Sequence, residues 1–156
     1  MTHFIKAIIS KDNILVDFWE KEVSGRCIEL PQGFFLLKLS DELLDRINGS
    51  VNSKISNPYQ EFYYLSSALN EILIEESKNK ALAYIETDYF GGVGSQAAIL
   101  YENGSIAVAP LKTIDEWNNV SKTHVQIPEG VRAINFVLKR MDVVCTGKQD
   151  EFDSVQ

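Results

Sequence analysis

Histidine and cysteine are scarce in this chain, and their scarcity limits the chemistry that it can support. The 156 residues include only two histidines, His3 and His124, and two cysteines, Cys27 and Cys145. The cysteines stand far apart and outside any C-x-x-C pattern, so neither a redox motif nor a zinc site is indicated. A catalytic triad or a zinc hydrolase would have to use the two histidines, and neither lies in a recognisable motif. We therefore expect reduced thiols, no metal, no cofactor and no enzymatic activity.

Clusters of basic residues and long apolar runs are also lacking. Fifteen Lys and Arg against twenty-two Asp and Glu give a net charge of −7. No group of Lys and Arg resembles a phosphate-binding patch, so we expect no direct nucleic-acid ligand. No apolar run approaches the roughly 20 residues of a membrane helix. The short apolar stretch in residues 1–11 is followed by Asp12 without a small-residue cleavage site, which argues against a signal peptide. These absences predict a soluble protein of the cytoplasm.

The composition that remains is that of an ordinary globular domain. Hydrophobic residues make up 45% of the chain and charged residues 24%. A domain of this size buries roughly 68–70% of the surface that its unfolded chain exposes, so a substantial core is available. The polar stretch near 48–58 is the best candidate for a loop, but it is too short to separate two domains, and 146–156 reads as an acidic tail. We predict a single domain, 1–156, whose negative charge serves solubility or attracts a basic partner.

Periodicity predicts an α+β fold, a mostly antiparallel sheet packed by two main amphipathic helices. Apolar residues at helical spacing indicate one main helix from Leu65 to Ser77 and another after Pro128, with Val131, Ile134, Leu138 and Met141 on one face. A shorter helix, Asp41 to Ile47, is expected after the N-cap Ser40. Expected strands are Phe4–Ile9, Ile14–Phe18 (or a helix through Val23), Cys27–Leu30, Phe34–Leu39, Ala81–Thr87 and Asp142–Cys145.

The clearest local pattern is a hairpin from Ala97 to Ala109. Asn103-Gly104 between two apolar runs is the pair preferred in a two-residue type I′ turn. This register places Glu102 opposite Ser105 and Tyr101 opposite Ile106. We expect Pro110 to end the second strand or to lie at its edge, because proline cannot donate to a strand ladder. The residues between the hairpin and Pro128 are expected to form a polar connection.

The glycine-rich stretch Gly91 to Gly94 is better explained by backbone geometry than by nucleotide binding. Gly92, Gly94 and Ala97 formally satisfy G-x-G-x-x-A after a strand. A dinucleotide site, however, needs a helix N-terminus at the pyrophosphate, and here the chain runs directly into the Asn-Gly hairpin. We predict a glycine loop between two strands.

Acidic residues near the end of the expected strand and in the tail are the candidate binding residues. As partner contacts we take Glu86, Asp88 and Tyr89 together with Asp150, Glu151 and Asp153, although a solvated acidic face explains the same acids. An enzyme would instead have to bring Glu86, Asp88 and His124 into one pocket, or pair Cys27 with His124. The aromatic cluster of Tyr59, Phe62, Tyr63 and Tyr64 suits either core packing or a binding hot spot.

The run from Tyr84 to Ala98, YIETDYFGGVGSQAA, resembles a motif of small bacterial proteins that are similar to immunity partners of polymorphic toxins, including contact-dependent growth inhibition systems. A helix such as Ala133–Leu138 and an acidic-aromatic stretch such as Asp150–Asp153 also occur in that group. The resemblance covers roughly the second half of the chain, and it does not extend to the first 60 residues. It implies an immunity protein that occludes the basic substrate groove of a secreted toxin domain, expected to be a nuclease. Immunity proteins typically vary where they contact their toxins, so the family supplies no contact residue. The alternatives are a small enzyme and an interaction module with a host partner, and the oligomeric state is left open.

Overall fold

A seven-stranded antiparallel sheet forms the centre of the computed structural model, which describes residues 2–11, 27–49, 57–90 and 93–144. The strands are β1 (Thr2–Ser10), β2 (Cys27–Glu29), β3 (Phe35–Lys38), β4 (Leu82–Phe90), β5 (Val93–Glu102), β6 (Ser105–Asn118) and β7 (Thr123–Ile127). Their spatial order is β2-β3-β1-β4-β5-β6-β7. The helices are α1 (Asp41–Gly49), α2 (Ser67–Glu76) and α3 (Ala133–Arg140), with 3-10 turns at Pro31–Gly33 and Ser77–Asn79. The chain therefore has an α+β fold, as its sequence predicts.

Different helices cover the two faces of the sheet. Successive side chains of a strand point to opposite faces, so Tyr84 joins the core under α1 and α2, whereas Ile85 joins the core under α3. We call the face with Tyr84 and Ile99 face A, and the face with Ile85 and Leu100 face B. The stretch 82–87 is buried throughout because helices lie on both sides of it.

The three helices of the described residues begin in two different ways. The Ser40 hydroxyl accepts a hydrogen bond from Leu43 N at 3.1 Å, which confirms the expected N-cap of α1. At α2 the Ser66 hydroxyl accepts one from Leu69 N at 3.2 Å. The residue before α3 is Arg132, whose side chain makes no capping bond. The N-terminus of α3 therefore needs acceptors from elsewhere in the fold.

Three helices of similar length pack on the sheet in the described residues, so the expectation of two main helices is not confirmed. The first, α1, has nine residues, against ten in α2 and eight in α3. Three residues of α1 are buried on face A, namely Leu43, Leu44 and Ile47. Because the helix predicted at Asp41 to Ile47 is short, its contribution to the packing on the sheet was not expected. The uncertain segment at 14–18 lies outside the described residues.

The second strand of the hairpin is longer than predicted. β5 and β6 pair with Glu102 opposite Ser105, and Asn103 and Gly104 between them have φ of 53° and 75°. β6 then continues through Pro110 to Asn118, so the expectation that Pro110 ends the strand is wrong. The register with β5 shifts on either side of Leu100, which places the missing N–H of Pro110 where the ladder is already interrupted.

The stretch between the hairpin and α3 was expected to be a polar connection, and this too is wrong. It forms the second half of β6 and all of β7. Pro128 lies in the loop after β7, and α3 begins only at Ala133. The expected strand from Asp142 is absent at 142–144, because Val143 N donates back to Leu138 O at 3.1 Å and continues the end of the helix instead. Cys145 lies outside the described residues.

Candidate functional site

Glu86 attaches the segment before α2 to face A. Only 3% of Glu86 is exposed. Its carboxylate accepts hydrogen bonds from Tyr63 N at 2.8 Å, from Tyr64 N at 2.7 Å and from the Tyr84 hydroxyl at 2.7 Å. Burial, and next the negative charge of Glu86, raise the pKa of Tyr84 well above its ordinary value. Both carboxylate oxygens are thus used, and Glu86 fixes two consecutive backbone amides that precede a helix.

The two residues held in this way present their rings at the surface. Tyr63 is 55% exposed and Tyr64 is 43% exposed. The ammonium of Lys112 lies 4.9 Å from the centroid of the Tyr63 ring, and that of Lys6 lies 4.4 Å from the centroid of Tyr64. Lys6 also forms an ion pair with Asp41. Since Glu86 fixes the two backbone amides and lysine ammonium groups lie against the two rings, the tyrosine pair is held in one arrangement.

The exposed tyrosines border a part of face A that no described helix covers. The strand register joins the open residues in one row across the sheet, in the order Phe4, Asp88, Ser95, Ile114 and Ile127. In the next row Phe90 pairs with Val93. Directly paired residues of neighbouring strands lie about 4.5–5.5 Å apart at Cβ, so these side chains form a continuous surface.

We call this surface the open patch. It consists of the exposed apolar and aromatic residues Phe4, Tyr63, Tyr64, Phe90, Val93, Ile114 and Ile127. Phe90 is the most exposed of them at 68%. A contiguous apolar surface of this kind usually marks an interaction site, whereas single exposed apolar residues need no explanation.

Acidic side chains lie within and around the open patch. They are Asp41, Asp45, Glu61, Asp88 and Glu116. The only ammonium groups placed on it by the described contacts are those of Lys6 and Lys112, so carboxylates outnumber them. A cleft of about 420 Å³ beside Tyr63 and Tyr64 is walled on its other side by Asp41 and Asp45 of α1. The surface therefore combines an aromatic centre with a negative border.

A second polar cluster lies on face B under the N-terminus of α3. Gln96 Oε1 accepts a hydrogen bond from Ile134 N at 2.9 Å, and Thr113 Oγ1 accepts one from Ala133 N at 3.3 Å. The Tyr89 hydroxyl donates to Asp115 Oδ2 at 2.9 Å and accepts from Gln96 Nε2 at 3.1 Å. Burial is the largest cause of the raised pKa of Tyr89, and its bond to Asp115 acts in the same direction. Gln96 and Thr113 of the sheet thus accept hydrogen bonds from the first backbone N–H groups of α3, which the Arg132 side chain does not cap.

The candidate residues from the sequence separate on the folded sheet. Glu86 is buried beneath the tyrosine pair, Asp88 lies half-buried in the open patch, and Tyr89 points to face B. The alternation of the strand explains why adjacent residues do not share a surface. The tail residues Asp150, Glu151 and Asp153 lie outside the described part of the chain.

The residues proposed for an enzyme are not brought together. Glu86 and Asp88 belong to face A, whereas His124 pairs with Trp117 on face B, where their rings meet edge to face at 5.1 Å between centroids. Cys27 lies on β2 at the other edge of the sheet. Gly94 belongs to β5 and pairs with Tyr89, while Gly91 and Gly92 lie outside the described residues.

The apolar members of the open patch are not recognisable from the sequence pattern used above. Ile114 and Ile127 belong to strands where a polar connection was expected, so no face could be assigned to them. In the aromatic cluster, Phe62 is buried in the core, whereas Tyr63 and Tyr64 are exposed. Core packing therefore describes Phe62, and only its two neighbours are available as surface contacts. The alternation of apolar and polar residues at Thr123-His124-Val125-Gln126-Ile127 is the pattern that could have revealed β7.

No protein-family model matches the chain, and no curated protein or solved structure matches it. None of the helices in the described part of the chain has the length and apolar character needed to cross a membrane. In the same residues no group of three or more His, Cys, Asp and Glu side chains could hold a metal ion. Function is therefore inferred from the geometry of the open patch.

Proposed function

We propose that this chain is a cytoplasmic immunity protein, which binds a cognate toxin domain through the open patch and blocks the toxin's substrate groove. The observation that supports this proposal is the preorganised pair Tyr63 and Tyr64, held by Glu86 at the border of an uncovered apolar sheet face. The resemblance of the Tyr84 to Ala98 motif to immunity proteins supplies the kind of partner.

The composition of the patch suits recognition of a protein. Aromatic residues are enriched at binding hot spots, where water is excluded around a few large side chains. Tyr63 and Tyr64 lose little conformational freedom on binding because their backbone amides are already fixed by Glu86. Rigidity of this sort favours affinity, since less entropy is lost when the complex forms.

The charge around the patch suits a basic partner. Asp41, Asp45 and Asp88 lie where they would face the phosphate-binding groove of a nuclease, and the chain as a whole carries −7. Opposite charges raise the association rate and help to orient the partner. The tail residues Asp150, Glu151 and Asp153 remain candidate contacts in this proposal.

Two exposed phenylalanines on opposite faces provide a matched test. Phe90 lies in the open patch at 68% exposure, and Phe136 lies on the outer side of α3 at 43%. The chain is co-expressed with the protein encoded by the adjacent reading frame, and the complex is measured by calorimetry. Phe90→Ala is expected to weaken binding by about 2 kcal/mol, as for a hot-spot residue, and Phe136→Ala to leave it unchanged. Equal effects of both variants would contradict the assignment of the surface.

The charge contribution and the identity of the partner are tested separately. The association rate should fall as ionic strength rises towards ~1 M, where the Debye length is only about 3 Å. A rate that does not depend on salt would remove the electrostatic part of the proposal. Capture of a host protein instead of the neighbouring toxin, in cells that lack the toxin, would favour the alternative of a housekeeping interaction module.

A further inference from the structure

We infer that the free edge of β7 pairs antiparallel with β7 of a second copy of this chain, which joins the two sheets about a two-fold axis at Val125. This interface uses the main-chain edge of β7, whereas the toxin contact proposed above uses the open patch on face A; the two share only Ile127, and dimerisation is measurable with the chain alone. In the described part of the chain β7 has one neighbour, β6, so its other side presents unpaired main-chain groups.

The edge lacks the features that normally prevent pairing with another strand. Proteins protect an exposed edge with charged residues, proline or a bulge within the strand. β7 reads Thr123-His124-Val125-Gln126-Ile127 and contains no acid, no lysine and no proline. Its register with β6 is continuous from Ile114–Ile127 to Asn118–Thr123. In a chain of net charge −7, a formally uncharged edge is a place where two copies approach without local repulsion.

Charges at the two ends of β7 favour an antiparallel copy. Lys122 precedes the strand and Glu129 follows it, and both are exposed. Neither forms an ion pair with another described residue. β7 spans Thr123–Ile127, with a cis peptide bond to Pro128 after it, and Lys122 and Glu129 flank the paired strand. In an antiparallel pair centred on Val125, the start of β7 in one copy lies beside its end in the other, which brings Lys122 of each copy near Glu129 of the other. Two such ion pairs form by symmetry, whereas a parallel pair would place like charges together.

The same axis joins the apolar surfaces near the edge. Val125 pairs with Glu116 and Ile127 with Ile114, so both lie on face A with the open patch. A two-fold axis perpendicular to the sheet keeps face A of both copies on one side, and it places Val125 against its own counterpart. Ile127, which is 48% exposed, then lies opposite Thr123 of the other copy and loses exposed apolar area.

Sedimentation of the full chain over a concentration series tests the inference. The expected species at high concentration has twice the mass of the 17.6 kDa chain, and it dissociates on dilution. Hydrogen exchange at residues 123–127 should slow as the dimer forms. A chain that remains monomeric throughout the series, or a dimer in which exchange at β7 does not change, overturns the inference.

Charge exchange tests the register. Lys122→Glu and Glu129→Lys should each weaken dimerisation about tenfold, because each replaces two ion pairs with two like-charge contacts. The double variant should restore the original affinity, since the pairs are then rebuilt in reverse. Lys139→Glu on α3 is the control for net charge and should have no effect. Thermal unfolding of each variant checks its fold, and failure of the double variant to restore affinity overturns the antiparallel register.

Discussion

On both faces of the sheet a strand side chain accepts hydrogen bonds from backbone N–H groups of the segment packed there, but the two side chains differ in chemistry. On face A, Glu86 accepts hydrogen bonds from the backbone N–H groups of Tyr63 and Tyr64. On face B, Gln96 accepts the backbone N–H of Ile134. In both places a side chain of the sheet satisfies donors that the packed segment cannot satisfy itself. The bonds to the carboxylate are charge-assisted and those to the amide are not, so the attachment on face A should be the stronger.

The difference in strength between the two attachments matches the amount of apolar packing that each attached segment makes with the sheet. α3 buries Ile134, Val137 and Leu138 in face B, so apolar packing holds it independently of Gln96. The segment at Tyr63 and Tyr64 leaves both rings exposed and gains less from packing. A segment whose aromatic side chains stay exposed has to be held mainly through its backbone. The buried carboxylate of Glu86 thus supports the exposed rings of the open patch.

Both attachments depend on the end of β4 and β5, and Gly94 offers the most severe way to disturb them. A Cβ at Gly94 would lie 1.9 Å from the Asp88 carbonyl oxygen and 2.7 Å from Tyr89 Cα, and φ is +156°. The obstacle is backbone, which cannot move aside without separating the strands. Gly94→Ala should lower the free energy of unfolding by about 3 kcal/mol or more, measured by urea denaturation.

The control for this change is Gly49→Ala, where a Cβ meets no atom of the described residues within 4 Å. It should alter stability by less than about 0.5 kcal/mol. If both substitutions changed the free energy of unfolding by nearly the same amount, β5 could move away from β4 at Gly94 without loss of stability. The close approach of these strands would then not support the attachments on the two faces.

Removing each acceptor in turn measures the difference between the two faces. Glu86→Ala leaves two backbone amides and the Tyr84 hydroxyl without their acceptor, and we expect it to cost about 3 kcal/mol. Gln96→Ala leaves the Ile134 amide without its acceptor, and about 1–2 kcal/mol is expected. Urea unfolding gives both values, and limited proteolysis should cleave near Tyr63 only in the Glu86 variant. A larger loss for Gln96→Ala would reverse the comparison.

How far the sequence predicts these features depends on how local they are. The cap at Ser40, the strand at Phe4 to Ile9 and the antiparallel α+β class follow from neighbouring residues and are confirmed. The attachments are not local, because Glu86 and Tyr63 meet only when β4 packs beneath the segment before α2. The separation of Asp88 from Tyr89 follows from strand alternation, which is readable once β4 is assigned. The open patch needs the register of β6 and β7, and Pro110 obscured that register in the sequence.

Alkaline pH should weaken the fold through the buried tyrosines, most strongly on face A. Burial is the largest cause of the raised pKa of Tyr84 and Tyr101 on face A and of Tyr89 on face B. The folded state keeps these phenols protonated above their ordinary value of 10.0, while the unfolded state loses the protons. The contribution of these tyrosines to stability is therefore constant below about pH 10 and falls above it, by up to about 1.4 kcal/mol per pH unit for each such tyrosine.

Urea unfolding at several pH values tests this dependence. Tyr84→Phe should reduce the slope above pH 10 by nearly one proton, and Tyr89→Phe by less, because Tyr89 is only partly buried. If Tyr84→Phe leaves the slope unchanged, the hydroxyl bonded to Glu86 does not contribute to the alkaline transition, and the charged character of the attachment on face A would lose that support.

The smallest effect is expected from two buried threonines on face B, and it is expected to differ in sign. Thr87 is 4% exposed, and its hydroxyl is the one buried side-chain polar atom without a partner in the part of the chain that the structure describes. Thr113 is 3% exposed, and its hydroxyl accepts from Ala133 N. Thr87→Val removes an unsatisfied group and should stabilise the protein by about 1 kcal/mol, whereas Thr113→Val removes an acceptor of α3 and should destabilise it by about 1 kcal/mol. The two substitutions change volume equally on the same face, so packing alone would give them the same sign. Opposite signs in urea unfolding would show that the Thr113 hydrogen bond contributes to holding α3 on face B, and equal signs would leave that contribution to Gln96 and the apolar contacts.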